Sequence, residues 1–130
     1  MRKVIVFGTF DTIHPGHIFL LRQAKRYGDY LVVVVARDYT VCKIKGREPR
    51  FNEKIRLKNV QKLGIAEKSR LGCIDDEYKA IREEKPDVVA LGYDQKVFVD
   101  NVAQAVGENC QIVRIPPYMD NIYKSSKIFP

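Results

Sequence analysis

The chain has 130 residues, of which 45% are hydrophobic and 30% charged, and its net charge is +7. This composition is that of one soluble globular domain. No apolar run approaches the ~20 residues that a membrane span requires, and the first, Val4–Phe7, is too short for a signal peptide. The three cysteines are scattered without a CxxC pair, which argues against a disulfide framework or a zinc site. We therefore expect residues 1–130 to form a single cytoplasmic domain.

Five segments rich in β-branched residues predict strands: Lys3–Phe7, Tyr30–Ala36, Arg70–Ile74, Asp87–Leu91 and Gln111–Ile115. Their continuous apolar runs are typical of strands buried on both faces of a sheet. Amphipathic segments with helical spacing lie between and after them, at Gly16–Tyr27, Asn52–Leu63, Asp75–Glu84, Phe98–Val106 and from Ser125. The alternation predicts an α/β fold, a doubly wound five-stranded parallel sheet with helices on both faces.

In such a sheet, ligands bind outside the carboxyl ends of the strands, where the strand order reverses. The segments that follow the predicted strands are therefore the ones in which to look for a site: Gly8–His17, Arg37–Arg50, Gly92–Lys96 and Pro116–Ser126.

A cluster of positive charge lies between Lys43 and Lys62, where eight basic residues stand against two acidic ones. Such a cluster suits a phosphate-rich ligand, either a polynucleotide or a triphosphate. The alternative is a solvated basic face without a ligand.

The segment Gly8–His17 (GTFDTIHPGH) contains both histidines of the chain and opens the first predicted helix. Free backbone N–H groups and the helix dipole favour an anion at such a turn. Because His14 and His17 are three residues apart, they share a face of the helix start. Both imidazoles can then donate hydrogen bonds to phosphate oxygens and stabilise the charge on a leaving pyrophosphate. One alternative is that one histidine caps the helix while the other packs against Phe10. Another is a metal pair, for which no third ligand is evident nearby.

This segment resembles the HxGH signature of the cytidylyltransferase-like nucleotidyltransferase superfamily, whose members have a Rossmann-like sheet. Further pieces of the chain resemble the family pattern in the same order. Lys43 resembles the family lysine that reaches the triphosphate, and Arg56 resembles the arginine that follows it. Gly92 and Asp94 resemble a Gly-x-Asp turn near the nucleoside. Ser125 and Ser126 resemble a Ser/Thr-rich box that holds the β- and γ-phosphates.

Two branches of the superfamily are most similar: the archaeal FAD synthetases, which adenylylate FMN, and the glycerol-3-phosphate cytidylyltransferases. Ala36–Pro49 and Leu91–Gln95 are more similar to the first branch. Met119–Ile122 stands where the cytidylyltransferases have Arg-Thr-Glu-Gly, so an arginine that would grip the triphosphate is missing. Lys124 and Lys127 are the candidates to replace it.

The resemblance implies transfer of a nucleotidyl group to a phosphate monoester, with ATP and FMN as favoured substrates, Mg²⁺ as the divalent cation, and a homodimer. Thr9 and Phe10 would supply backbone donors, and Asp11 would orient the loop, cap it or reach a Mg²⁺-bound water. The catalytic residues implied are His14, His17 and Lys43, and the nucleotide-binding residues are Thr9, Phe10, Asp11, Gly16, Arg56, Gly92, Asp94, Ser125 and Ser126.

Two alternatives stay open besides a cytidylyltransferase that uses CTP and glycerol 3-phosphate. One is a basic nucleic-acid-binding domain, but the sequence lacks the interleaved stacking aromatics or the basic recognition helix of that class. The other is a dinucleotide-binding domain, but the sequence lacks G-x-G-x-x-G after the first strand. We expect neither a nucleic acid nor a membrane as a partner.

Overall fold

The computed structural model describes residues 2–73, 78–92 and 110–116. Five parallel strands form one sheet with the order β3-β2-β1-β4-β5. The strands are β1 Lys3–Gly8, β2 Tyr30–Val35, β3 Lys68–Leu71, β4 Val88–Gly92 and β5 Gln111–Ile115. The described helices are α1 Pro15–Lys25, α2 Asp38–Lys45, α3 Glu53–Leu63 and α4 Lys79–Glu84. The predicted five-stranded α/β fold is confirmed.

Both faces of the sheet are covered by helices, as the continuous apolar runs predict. Leu21 and Ala24 of α1 and Val60 of α3 pack on one face, against alternate residues of β1, β2 and β4. Ala80 and Ile81 of α4 pack on the opposite face, against the other residues of those strands. Because the three central strands meet helices on both sides, their residues are apolar without alternation.

The two edge strands differ from the prediction of strands buried on both faces. In β3 no residue is fully buried, and in β5 only Ile115 is. The third strand also begins at Lys68, two residues before its predicted start, because Lys68 and Ser69 pair with Val32 and Val33 of β2. An edge strand tolerates such polar residues, and charged side chains there protect the edge from pairing with other chains.

Helix α2 lies within Arg37–Arg50, a segment whose sequence predicts a loop. Its sequence is short and mostly polar, and Val41 is its one buried residue, so hydrophobic spacing gives no signal. The helix ends at Gly46, whose φ of +73° is a left-handed conformation that glycine adopts without strain. Of the predicted helices, the first part of Asp75–Glu84, all of Phe98–Val106 and the start at Ser125 lie outside the described residues.

The strand order places the switch point of the sheet between β1 and β4. The chain runs outward from β1 through β2 to β3, and then crosses back to β4 on the other side of β1. Ligands of doubly wound sheets bind at this crevice, beyond the carboxyl ends of the strands. The loop after β1 and the end of β4 at Gly92 flank it. In the described part of the chain, no helix has the length and apolar character to cross a membrane.

Candidate active site

The loop that leaves β1 is anchored by the side chain of Phe10. Its ring is 2% exposed and belongs to the core on the α1 face of the sheet. Its backbone has a φ of +54°, a conformation that costs a residue with a Cβ roughly 1–2 kcal/mol. A Cβ on Gly8 would lie 2.6 Å from this ring, so a glycine at that position leaves room for the anchor. Burial of the ring compensates for the backbone strain, and strain of this kind is characteristic of functional loops.

His14 and His17 form a reciprocal cap at the start of α1. The Nδ1 of His14 accepts a 3.0 Å hydrogen bond from the Gly16 N–H, and the Nδ1 of His17 accepts a 3.3 Å hydrogen bond from the His14 N–H. The two rings stack with their centroids 3.9 Å apart, and the His17 ring lies 5.2 Å from that of Phe10. Each imidazole is therefore fixed in position and orientation by contacts within the loop.

The cap determines which ring nitrogen carries the proton. A neutral imidazole has one donor and one acceptor nitrogen. Since Nδ1 accepts in both rings, the proton of the neutral form lies on Nε2, which is then the donor nitrogen of each imidazole. The predicted structural alternative, a histidine cap with packing against Phe10, is thus compatible with the predicted phosphate contact, because the two roles use different nitrogens.

The expectation of free backbone donors at this helix start is wrong. Pro15 has no N–H group, Gly16 donates to the His14 ring, and the N–H groups of His17 and Ile18 donate to the His14 carbonyl at 2.9 and 3.3 Å. The imidazole N–H groups and the helix dipole are what α1 can offer an anion.

Gly16 leaves room for the His14 ring, and its predicted role in nucleotide binding stays a prediction. A Cβ at position 16 would lie 2.8 Å from Cε1 and 3.0 Å from Nδ1 of His14. These distances are shorter than van der Waals contact, so a larger residue would displace the ring. The glycine of the signature is therefore explained by the stacked histidine pair.

Asp11 joins the histidine loop to the start of α3. Its two carboxylate oxygens accept hydrogen bonds of 2.7 and 2.8 Å from the N–H groups of Arg50 and Phe51. Burial raises the pKa of Asp11, but these two hydrogen bonds and the nearby charges of Arg56 and Lys45 outweigh it and lower the pKa below its ordinary value. Of the roles predicted for this carboxylate, the geometry supports orientation of the loop.

Arg56 is buried and donates hydrogen bonds to three groups, one of which belongs to the histidine loop. Its side chain is fully buried, and its Nε, Nη1 and Nη2 donate hydrogen bonds of 2.9, 2.8 and 2.6 Å to the Phe51 carbonyl, the Thr9 carbonyl and the Asp38 carboxylate. This contradicts the alternative of a solvated helix face for Arg56, although the other seven basic residues of the cluster are exposed. A direct contact with nucleotide would require the guanidinium to leave this pocket. Thr9 takes part here through its carbonyl, and the predicted role of its N–H as a donor to a ligand stays a prediction.

A second ion pair holds the end of β2 against the start of α3. The carboxylate of Glu53 accepts a 2.8 Å hydrogen bond from the guanidinium of Arg37 and a 2.9 Å hydrogen bond from the Asp38 N–H. Sequence reasoning missed Arg37, Asp38 and Glu53. An acidic residue just after an N-cap asparagine, as in Asn52-Glu53, is the local signal that could have drawn attention to one of them.

Of the remaining predicted site residues, the structure describes Lys43 and Gly92. Lys43 lies in the last turn of α2 and is exposed. Gly92 is the last residue of β4, and its carbonyl accepts a 2.8 Å hydrogen bond from Arg114. Asp94, Ser125 and Ser126 lie outside the described residues, as do Lys124 and Lys127, so their roles stay predictions.

Among the residues that the structure describes, no group of three histidine, cysteine or acidic side chains could hold a metal ion. The carboxylates near the histidine loop, Asp11, Asp38 and Glu53, each accept hydrogen bonds from protein groups. These residues do not form a metal cage. Divalent cations in triphosphate-using enzymes are held largely by substrate phosphates and waters, and the described site allows that mode.

A doubly wound sheet with a histidine pair at its switch point defines the class of HxGH nucleotidyltransferases. The chain belongs to the cytidylyltransferase-like family, whose model matches residues 5–128.

Curated relatives extend the match over nearly the full length. The FAD synthase of Thermoplasma acidophilum is 44% identical over 98% of this chain and 92% of its own. The FAD synthase of Aciduliprofundum boonei is 41% identical over 93% and 83%.

Solved structures agree on the fold. A crystal structure described as the lipopolysaccharide core biosynthesis protein from Thermoplasma volcanium GSS1 is 38% identical, with a TM-score of 0.80 over 91% of this chain and 98% of that one. The pantoate-β-alanine ligase of Francisella tularensis, 14% identical with a TM-score of 0.62 over 97% of this chain and 71% of its own, shares the fold.

Proposed function

We propose that the protein is an FMN adenylyltransferase, an FAD synthase that transfers the AMP group of ATP to FMN and releases pyrophosphate. Nucleotidyl transfer is supported by the family and by the stacked His14–His17 pair at the switch point. The choice of FMN is supported by relatives named FAD synthase that are 40–44% identical over most of the chain.

The reaction is an in-line displacement at the α-phosphorus of ATP. An oxygen of the FMN phosphate attacks, the bond to the bridging oxygen of the β-phosphate breaks, and pyrophosphate leaves with the electron pair. A phosphate monoester has its second pKa near 6, so the nucleophile is already ionised at neutral pH. The protein therefore needs no general base, and its contribution is positioning and electrostatic stabilisation.

The stacked imidazoles supply that stabilisation. Their Nε2–H groups donate to phosphate oxygens, where negative charge grows as pyrophosphate departs. Since both rings are already fixed by the cap at Nδ1, little reorganisation accompanies the reaction, and preorganised donors of this kind contribute strongly to rate. Lys43 adds a positive charge from α2 that bridges the phosphates of the two substrates.

A divalent cation, Mg²⁺ in our proposal, neutralises charge on the triphosphate when bound. The described residues offer no cage for it, so the ion would enter with ATP.

The experiment that tests this function is a matrix of four nucleoside triphosphates against four phosphate esters, namely FMN, glycerol 3-phosphate, phosphocholine and phosphopantetheine. Pyrophosphate release is the readout. We expect ATP with FMN to give the highest kcat/KM. Turnover of CTP with glycerol 3-phosphate above that pair would replace the proposed acceptor and base but keep nucleotidyl transfer. A salt-sensitive complex with nucleic acid and no release from any pair would overturn both.

We also propose that residues 1–130 form one domain that acts in the cytoplasm as a homodimer. Light scattering coupled to size exclusion measures the oligomeric state directly, and a monomeric mass would contradict the dimer.

A further inference from the structure

Helix α2 is attached to the rest of the fold mainly through its first residue. Val41 is its one buried side chain, and Tyr39 and Ile44 are 60% and 52% exposed. By contrast, the Asp38 side chain accepts a 2.6 Å hydrogen bond from Arg56 and the Asp38 N–H donates to Glu53 at 2.9 Å. Polar contacts at position 38 therefore set where α2 begins.

The same guanidinium holds the histidine loop. While Nη2 of Arg56 donates to Asp38, Nη1 donates to the Thr9 carbonyl, directly before the strained Phe10. The guanidinium is planar and rigid, so its fork fixes the two acceptors relative to each other. One buried side chain thus connects the loop that carries His14 and His17 with the helix that carries Lys43.

The charges make this connection sensitive to Asp38. Arg56 is fully buried, and Asp38 is the one carboxylate within ion-pair distance of it among the described residues. A buried cation that loses its partner is strongly destabilised, so the guanidinium would move toward water or other acceptors. Either movement would release the Thr9 carbonyl together with α2.

We propose that Asp38 and Arg56 are a positioning pair that fixes Lys43 relative to the two histidines. This inference rests on the proposed function, in which Lys43 and the histidines act on the same phosphates. Neither Asp38 nor Arg56 touches substrate in this account, and both act through the elements they join.

A double-mutant cycle of Asp38→Asn and Lys43→Ala tests the proposal, measured as kcat and KM separately with ATP and FMN. If Asp38 acts by placing Lys43, Asp38→Asn lowers kcat by up to about 100-fold, the effect of a misplacement of about 1 Å. In the absence of Lys43 the same substitution has a much smaller effect, because there is no lysine left to place. Equal effects of Asp38→Asn with and without Lys43 would overturn the proposal.

A second variant, Asp38→Glu, keeps the proposal testable if Asp38→Asn does not fold. It keeps the charge beside Arg56 but adds a methylene group, so we expect a near-normal Tm with reduced kcat. Wild-type kcat in this variant would contradict a positioning role. The matched control is Glu67→Gln, which weakens the 2.8 Å pair with Lys25 at the amino end of the sheet. It should lower Tm while leaving kcat unchanged.

Hydrogen exchange separates failure of this inference from failure of the proposed function. In Asp38→Asn we expect faster amide exchange both in residues 38–45 and in the loop 9–14, whatever substrates the enzyme uses. Faster exchange confined to α2 would show that the pair does not couple the two segments. Absence of FAD formation by the wild-type protein, with coupled exchange intact, would instead reject the proposed acceptor.

Discussion

The imidazole rings of His14 and His17 stack with centroids 3.9 Å apart, and the Nδ1 of each accepts a backbone hydrogen bond within the same helix cap. In the proposed function the two nitrogens of each ring have different roles: Nδ1 holds the loop, and Nε2–H donates to phosphate. Variants that keep one function and remove the other test this division.

His17→Gln and His17→Ala separate the cap from the chemistry. Glutamine at the third helical position can accept the hydrogen bond of a capping box, whereas alanine cannot and should cost about 1 kcal/mol of stability. Both variants lack the imidazole donor, so we expect kcat to fall by roughly 10²–10³ in each. Urea unfolding and steady-state kinetics measure the two effects. Near-normal kcat in His17→Gln would reject the imidazole as a phosphate donor.

Gly16→Ala should damage activity more than stability. The added Cβ would meet the His14 ring at 2.8 Å and push it out of the stack, with a loss of up to about 100-fold in kcat. Gly64→Ala is the matched control, because φ there is +68° and no atom lies within 4 Å of the added Cβ. Alanine should cost that position about 1–2 kcal/mol of stability with unchanged kcat. Equal kcat in the two variants would contradict the account.

Asp11→Asn tests whether this carboxylate orients the loop or serves a metal-bound water. An asparagine has only one acceptor oxygen for the two N–H groups of Arg50 and Phe51, so stability should fall by about 1–2 kcal/mol. The concentration of divalent cation that gives half-maximal activity should not change. A marked increase in that concentration, with normal stability, would instead support the role in metal binding.

The carboxylate of Glu84 should make stability depend on pH without involving the active site, and Glu84→Gln tests this. Burial raises the pKa of Glu84, but hydrogen bonds from Lys68 and Arg70 outweigh it, so the pKa lies below the ordinary 4.5. The carboxylate therefore stabilises the fold above about pH 4.5, and this contribution is lost as the pH falls through the lowered pKa.

At pH 7, Glu84→Gln should lower the free energy of unfolding by about 1–3 kcal/mol. The loss stays moderate because Lys3 and Lys68, which are partly exposed, can turn to water. The difference from the wild-type protein should shrink toward zero in acid. Urea titrations between pH 7 and pH 3 measure it. A difference that stays constant across this range would mean that the ion pairs of Glu84 do not contribute. The kcat at pH 7 should be unaffected. Lys3 and Lys68, the partners of Glu84, lie at the amino ends of their strands, whereas the histidine loop lies at the carboxyl ends.

The sequence was sufficient to predict the central sheet and the histidine turn, because both depend on local patterns. Continuous β-branched runs identify β1, β2 and β4, and Pro15 with two histidines three apart identifies the start of α1. Helix α2 and the early start of β3 were not predicted, since their residues are mostly polar and owe their conformation to neighbours.

The ion pairs of the site were beyond sequence reasoning for a different reason. Asp38 and Arg56 are 18 residues apart, and Arg56 reaches Thr9 across 47 residues. No periodicity connects such positions, and Arg56 lies in a basic run that suggested a solvated face. Its complete burial follows only from how α3 packs beneath the loop.

FMN adenylylation is tested by incubating the purified protein with ATP, FMN and a divalent cation, and quantifying FAD and pyrophosphate by chromatography. We expect the two products to form in equal amounts and neither to form without FMN. Pyrophosphate release that does not depend on FMN, or no FAD from a protein shown to be folded, would contradict it.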